Sequence, residues 1–127
     1  MYNSKVIKNF TKPTNAGGMK GSSAVGKFTS ENNCDVVKIY LKVDEDTGII
    51  TEASFKTFGS PATIACSNVA CDLLHDLSIE DAKELSNADI IKELGELPMD
   101  KISSATSVEN AIKNAIEIYE TNKTIDN

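Results

Sequence analysis

The stretch DVVKIYLKVDEDTGIITEASFKTFGSPATIACSN, residues 35–68, decides the fold of this chain. From residue 37 to residue 43, apolar side chains alternate with lysine or tyrosine, the apolar ones being Val37, Ile39, Leu41 and Val43. A period of two is typical of a strand with one buried face. The acidic, glycine-containing segment 44–48 predicts a hairpin connection, after which the alternation resumes from Ile49 to Phe58. The stretch therefore predicts two adjacent strands.

A helix is predicted directly after this hairpin. Pro61 suits the first turn of a helix, and Ser60 stands at the corner where the strand ends. Apolar residues then recur at helical spacing, namely Ile64, Ala65, Val69, Leu73, Leu74 and Leu77. A strand-to-helix corner can present a reactive side chain at the start of the helix, so Ser60 is the first candidate functional residue.

The flanking segments predict one more strand and several helices. A strand is predicted at 24–29, preceded by a short helix that Ser4 caps. Downstream, Ser78 starts a short helix, Asn87 caps the next, and the last helix starts at 106–109. The order of helix, three strands and helices predicts a two-layer α+β domain. Residues 1–127 are predicted to form this single domain, with a polar tail at about 121–127 that frays.

Composition excludes several functions. A net charge of −6 and a pI near 4.7 argue against nucleic acid and against an anionic membrane as partners. No apolar run approaches the roughly 18–20 residues of a membrane-spanning helix. The three cysteines form neither a regular pattern nor an even set, which favours free thiols in a reducing compartment. We expect a cytoplasmic protein.

Catalysis by a serine or cysteine nucleophile is not indicated. The only histidine is His75, and no GxSxG motif surrounds any serine. Cys66 and Cys71 are five residues apart, roughly 140° around a helix, so they do not converge on one ligand. We predict that both cysteines pack in the core as small apolar residues and that the protein is not an enzyme.

The chain from Tyr2 to Tyr119 resembles the NifU/IscU-type iron–sulfur cluster assembly scaffolds. The family opens with Y-x-x-K-V-I and N-P-x-N-x-G, which match YNSKVI and KPTNAG here. The segments DVVKIYLKV, ITEASFKTFG, ATIACSN, SIEDAKEL, ADIIKELGELP and SVENAIKNAIEIY also resemble the family. The resemblance implies an α+β fold in which a three-stranded antiparallel sheet packs against helices.

Family members carry cluster ligands that this sequence replaces. The family places cysteines in C-G-D and F-K-T-x-G-C and a His-Cys or similar pair before the last helix. Asp35 matches the Asp, but the first cysteine falls on Asn33 and its glycine on Cys34, so a thiol is displaced by one residue. The second cysteine falls on Ser60. The pair falls on Ser103 and Ser104.

A partner-binding segment is also implied by the resemblance. The family's hydrophobic-proline segment, which recruits a chaperone in some members, corresponds to Leu97, Pro98, Met99, Asp100 and Lys101. Other members accept sulfur from a cysteine desulfurase, so a desulfurase or another cluster-assembly protein is the expected partner.

Three functional readings follow. The first is a divergent scaffold protein of iron–sulfur cluster assembly that lacks most cluster ligands and cannot hold a cluster alone, because a serine hydroxyl is a poor substitute for a thiolate. The second is a binding or regulatory module that uses the scaffold fold without a cluster. The third is a zinc- or iron-binding protein that uses Cys34 and Asp35. The cofactor is therefore an iron–sulfur cluster, zinc or none.

Overall fold

An antiparallel sheet of three strands, in the order β1-β2-β3, is the framework of the protein. The computed structural model describes residues 2–31 and 34–126. The elements in chain order are α1 (Ser4–Thr11), β1 (Ala24–Thr29), β2 (Val36–Val43), β3 (Ile50–Phe58), α2 (Pro61–Leu74), α3 (Ile79–Ala82), α4 (Asn87–Leu94), a 3-10 turn (Met99–Lys101) and α5 (Ile102–Asp126). The predicted α+β class is confirmed.

The alternation in β2 and β3 places one face of the sheet in the core. Val37, Ile39 and Leu41 are fully buried, and Ile39 lies opposite the buried Phe55 of β3. The connection at 44–48 is the predicted hairpin, in which the amide of Gly48 donates to the carbonyl of Asp44 at 2.7 Å. The apolar period therefore sets both the register and the buried face.

Helices cover that one face. α2 packs against β3, α5 packs against β1 and β2, and the two helices contact each other. α1 lies on α2, while α4 packs against α5 and α2. The opposite face of the sheet carries the polar side chains of the alternating pattern. Within the described residues, no helix is long and apolar enough to cross a membrane.

Two predicted helix caps are wrong by one residue. α1 is capped by Asn3 and not by Ser4, because Asn3 Oδ1 accepts from the amide of Val6 at 2.9 Å. α4 is capped by Ser86 and not by Asn87. Ser86 and Asp89 form a reciprocal capping box, which satisfies two free amides at the start of the helix. The predicted cap at Ser78 is confirmed.

The ends of the two long helices also differ from the prediction. α2 ends at Leu74, with His75 as its C-cap, because Asp76 adopts a left-handed conformation with φ of 70°. α5 starts at Ile102 and not at 106–109, because the hydroxyl of Ser107 donates back to a carbonyl within the helix instead of capping it. It continues to Asp126, through most of the polar segment that was predicted to fray.

Gly26 is the point where β1 and α5 come closest. A Cβ atom at Gly26 would lie 2.6 Å from the Cβ of Ala115 and would also overlap the backbone of Ala111. Backbone atoms of a packed helix cannot move aside as a flexible side chain can. The contact between β1 and α5 therefore requires glycine at this position.

We predict that Gly26→Ala lowers the free energy of unfolding by about 1–3 kcal/mol, since added volume in a packed contact forces the backbone apart. Urea unfolding followed by circular dichroism measures the change. Gly18→Ala is the matched control, because its Cβ would meet side-chain atoms only, the flexible end of Lys56 at 3.2 Å and the ring of Tyr40 at 3.7 Å. An equal loss of stability in both variants would contradict the assigned role of Gly26.

Candidate functional site

A small cavity lies where β3 passes into α2, beside the start of β2 and of α5. Its volume is about 230 Å³. The residues that line it are Asp35, Gly59, Ser60, Asp100, Lys101, Ser103 and Ser104. Four of the five predicted site residues and two of the predicted partner-binding residues thus meet in one place.

Each of the predicted site residues in this cavity stands at the end of a secondary-structure element. Asp35 directly precedes β2, and Ser60 is the N-cap of α2, where its Oγ accepts from the amide of Thr63 at 3.3 Å. Ser103 and Ser104 belong to the first turn of α5. The sheet and the helix packing therefore bring three chain segments together that are far apart in sequence.

The hydroxyl of Thr63 is the centre of a hydrogen-bond network. Thr63 Oγ1 lies 2.9 Å from Asp35 Oδ2, 3.0 Å from Ser104 Oγ and 3.1 Å from Ser60 Oγ. A hydroxyl has one proton and a carboxylate only accepts, so Thr63 donates to Asp35. Thr63 is also the donor toward Ser104, so its single proton is shared between Asp35 and Ser104, while the hydroxyl of Ser60 can donate to Thr63. Asp35 and Ser104 are each only 2% exposed, and this network satisfies them.

Gly59 allows the Asp35 carboxylate to sit against the backbone. A Cβ atom at Gly59 would overlap Asp35 Oδ1 and would lie 2.9 Å from Asp35 Cγ. The glycine before Ser60 thus makes room for the buried acid, and any larger side chain would displace it. The position of Asp35 depends on Gly59 on one side and on Thr63 on the other.

The structure does not bring Cys34 into this cavity. Cys34 is exposed, is absent from the cavity lining, and has a left-handed backbone with φ of 57°. Its neighbour Asp35 is buried and bonded to Thr63. Binding of zinc or iron by Cys34 and Asp35 together stays a prediction. Asn33, the predicted position of the first family cysteine, lies outside the described residues. Residues 2–31 and 34–126 contain no group of three His, Cys, Asp or Glu side chains that could hold a metal ion.

The other two cysteines are packed in the core, as predicted. Cys66 and Cys71 are buried. Burial raises the pKa of Cys66 to about 12. Burial, together with the neighbouring Asp72 carboxylate, also raises the pKa of Cys71. Since the thiolate is the ligand and the nucleophile, this burial disfavours metal binding and thiol chemistry at both residues.

The side chains at the cavity offer oxygen and a lysine ammonium group. Among the described lining residues, the donors are two carboxylates and three hydroxyls, and none is a cysteine. Iron–sulfur clusters are held by cysteine thiolates, and a protonated hydroxyl is a hard, weak ligand for them. The described residues therefore form a hydrogen-bonded polar cavity that does not fit a cluster.

Comparison with known proteins places the fold in a family. A family model described as the NifU-like N terminal domain matches residues 1–126. The chain belongs to this family. The sequence resemblance to the NifU/IscU group is thereby confirmed.

Individual relatives of this NifU-like domain agree. It is 37% identical to "Iron sulfur cluster assembly protein 1, mitochondrial" of Candida glabrata, over 98% of this chain and 59% of that protein. It is 34% identical to "Nitrogen fixation protein NifU" of Azotobacter chroococcum, over 93% and 38%, and 39% identical to "Iron-sulfur cluster assembly scaffold protein IscU" of Rickettsia prowazekii, over 93% and 91%. The chain thus spans little more than half of the first relative and under half of the second.

Solved structures show the same fold. A putative iron–sulfur cluster assembly scaffold protein for the SUF system from Fervidobacterium islandicum superposes with a TM-score of 0.71 at 13% identity, over 91% of this chain and 96% of that chain. The N-terminal part of a NifU-like protein from Brucella abortus gives a TM-score of 0.58 at 18% identity, over 98% and 86%. At these identities the likeness concerns the fold alone, which includes the predicted three-stranded antiparallel sheet.

Two residues of the site in this NifU-like domain escaped the sequence reasoning. Thr63 joins the cavity residues, yet it was not singled out as a candidate. The spacing carries the signal, because the third residue after an N-cap lies in the first turn beside the cap. Gly59 gave no signal of its own, since its role depends on the approach of Asp35 from another segment.

Removal of the Thr63 hydroxyl tests the network. We predict that Thr63→Val destabilises the protein by about 1–3 kcal/mol, because buried Asp35 and Ser104 lose their shared partner. Chemical denaturation measures the loss. Thr51→Val is the control, since the Thr51 hydroxyl bonds to the carbonyl of Lys42 at an exposed position and its loss should cost under about 0.5 kcal/mol. Equal effects of the two substitutions would show that the network contributes nothing.

The burial of two thiols predicts a simple reactivity pattern. In the native protein, a thiol reagent such as Ellman's reagent should label Cys34 rapidly and leave Cys66 and Cys71 unmodified, even at mildly alkaline pH. All three should react after denaturation. Cys34→Ala should remove the fast phase completely. Fast labelling of a second thiol in the folded protein would contradict the assigned burial.

Proposed function

We propose that this protein acts in iron–sulfur cluster assembly and does not hold a cluster on its own residues. Membership in the NifU-like family and the names of its relatives support the pathway. One observation carries the second part: the described lining of the cavity offers hydroxyls and carboxylates and no thiolate. The divergence that the sequence predicts at Asn33, Ser60, Ser103 and Ser104 is part of this proposal.

The protein then acts by binding other assembly proteins. The segment 97–101 supports this role, because Met99 is 88% exposed while Asp100 and Lys101 line the cavity next to it. An exposed methionine offers an adaptable apolar contact at the rim of a polar site. A cysteine desulfurase or another assembly protein is the proposed partner, and the proposed role is that of a binding module and not of an enzyme.

A reducing compartment is the proposed location. Free Cys34 and two buried free thiols are compatible with such an environment. The cytoplasm remains the expectation from the sequence, whereas several relatives carry a mitochondrial name. Fractionation of the source cells distinguishes the two compartments.

Anaerobic reconstitution tests the proposal. Incubation of the protein with ferrous iron, cysteine and a cysteine desulfurase should leave it colourless and without bound iron after desalting. Visible absorbance and an iron assay measure the outcome. A stable brown protein with stoichiometric iron and sulfide would overturn the proposal and return the protein to the class of cluster-holding scaffolds.

A variant with restored ligands is the matched control. The triple substitution Asn33→Cys, Ser60→Cys and Ser104→Cys puts thiols at three positions that hold cysteines in the resembling family. If the missing thiolates are the reason for the lack of a cluster, this variant should bind iron and sulfide under the same conditions. A colourless triple variant would show that the fold and not the ligand set prevents cluster binding.

A further inference from the structure

Three lysines stand in one row across the exposed face of the sheet. The register pairs Lys27 of β1 with Lys38 of β2, and Lys38 with Lys56 of β3. All three alternate with core-facing residues, so their side chains leave the sheet on the face that the helices do not cover. The loop before β1 covers part of this face, where Gly18 lies beside Lys56 and Tyr40. Directly paired residues in a sheet have their Cβ atoms about 4.5–5.5 Å apart. The row therefore concentrates three positive charges in a protein of net charge −6.

These charges are not neutralised within the described part of the protein. The ion pairs there involve other groups, namely His75 with Asp76, Lys83 with Glu80 and Glu120, and Lys113 with Glu109. The next outward-facing lysine on β2 differs, since Lys42 lies opposite Glu52. Like charges directly opposite each other destabilise a sheet. The row therefore lowers the stability of the folded sheet, whereas Lys42 does not.

The neighbours of the row favour one kind of ligand. Val25 and Tyr40 are paired on one side of it, and Val36 and Phe58 are paired on the other, with Phe58 73% exposed. Ser54 completes the first of these rows and Thr29 the second. A cationic stripe between two rows that are each apolar in two of three positions fits a polypeptide that carries both carboxylate and apolar side chains. Nucleic acid is disfavoured, because three lysines in an acidic protein provide few phosphate contacts against a repulsive overall charge.

From this arrangement we infer that the exposed face of the sheet docks an acidic segment of a partner protein, with carboxylates on Lys27, Lys38 and Lys56 and apolar side chains against Tyr40 and Phe58. The complementary charge offsets the repulsion that the row carries in the free protein. This inference goes beyond the proposed function and does not depend on whether a cluster is held.

A pair of charge reversals on one strand tests the inference. Lys38→Glu and Lys42→Glu change the net charge equally, on the same strand and the same face. Lys38→Glu puts a carboxylate between two lysines and should raise the melting temperature, while Lys42→Glu faces Glu52 and should lower it. Binding of the acidic segment should be weaker in Lys38→Glu than in Lys42→Glu, because only the first substitution interrupts the row of lysines.

The probe is a synthetic peptide in which glutamate alternates with valine and tyrosine, titrated into labelled protein at physiological ionic strength. In NMR spectra of the protein, we expect chemical-shift changes of the backbone amides of Lys27, Lys38 and Lys56. The dissociation constant should weaken by about tenfold or more in Lys38→Glu and far less in Lys42→Glu. A more stable variant that no longer binds cannot be explained by unfolding.

Three outcomes would overturn the inference. The first is an absence of shifts at the row, and the second is an equal loss of binding in both variants. The third is tighter binding of a single-stranded RNA or of vesicles that contain phosphatidylserine than of the peptide. Since the assay contains neither iron nor a desulfurase, its result is independent of the reconstitution experiment.

Discussion

A buried carboxylate is the constraint on which the cavity region of this structure depends. Asp35 is almost completely withdrawn from water, and an acid in that position must find hydrogen-bond donors. It finds one in the hydroxyl of Thr63, which also contacts Ser60 and Ser104. The starts of β2, α2 and α5 are thereby joined at one point. The shape of the cavity follows from that junction.

The junction also explains why the cavity is polar. The hydroxyls of Ser60 and Ser104 are engaged with Thr63, which also bonds the acid, and the described cysteines lie elsewhere. Cys34 lies outside the lining, while Cys66 and Cys71 are sealed in the core with raised pKa values. The described lining of the cavity presents carboxylates, hydroxyls and a lysine ammonium group.

The two faces of the sheet are under opposite demands. The inner face is apolar and packs so closely on α5 that Gly26 is required. The outer face tolerates a row of like charges that weakens the pairing of its strands. Proteins keep such unfavourable features when another interaction uses them. The outer face is thus the part of the molecule least explained by stability alone.

The sequence by itself determined the sheet, the helices and the family. The strict alternation around Ile39 leaves one buried face, and the period change after Ser60 starts α2, since both patterns follow from local geometry. The motif positions also predicted Asp35, Ser60, Ser103 and Ser104 as one set. That these residues lie close together in space was implied only by the family resemblance.

Only the tertiary structure decided how those residues interact. Local spacing says nothing about which hydroxyl reaches Asp35, so the roles of Thr63 and Gly59 emerged from the packing of three elements. The start of α5 was missed because serine and threonine can either cap a helix or bond back within it. The lysine row likewise exists only through strand register, because its three members are separated in sequence and meet by pairing.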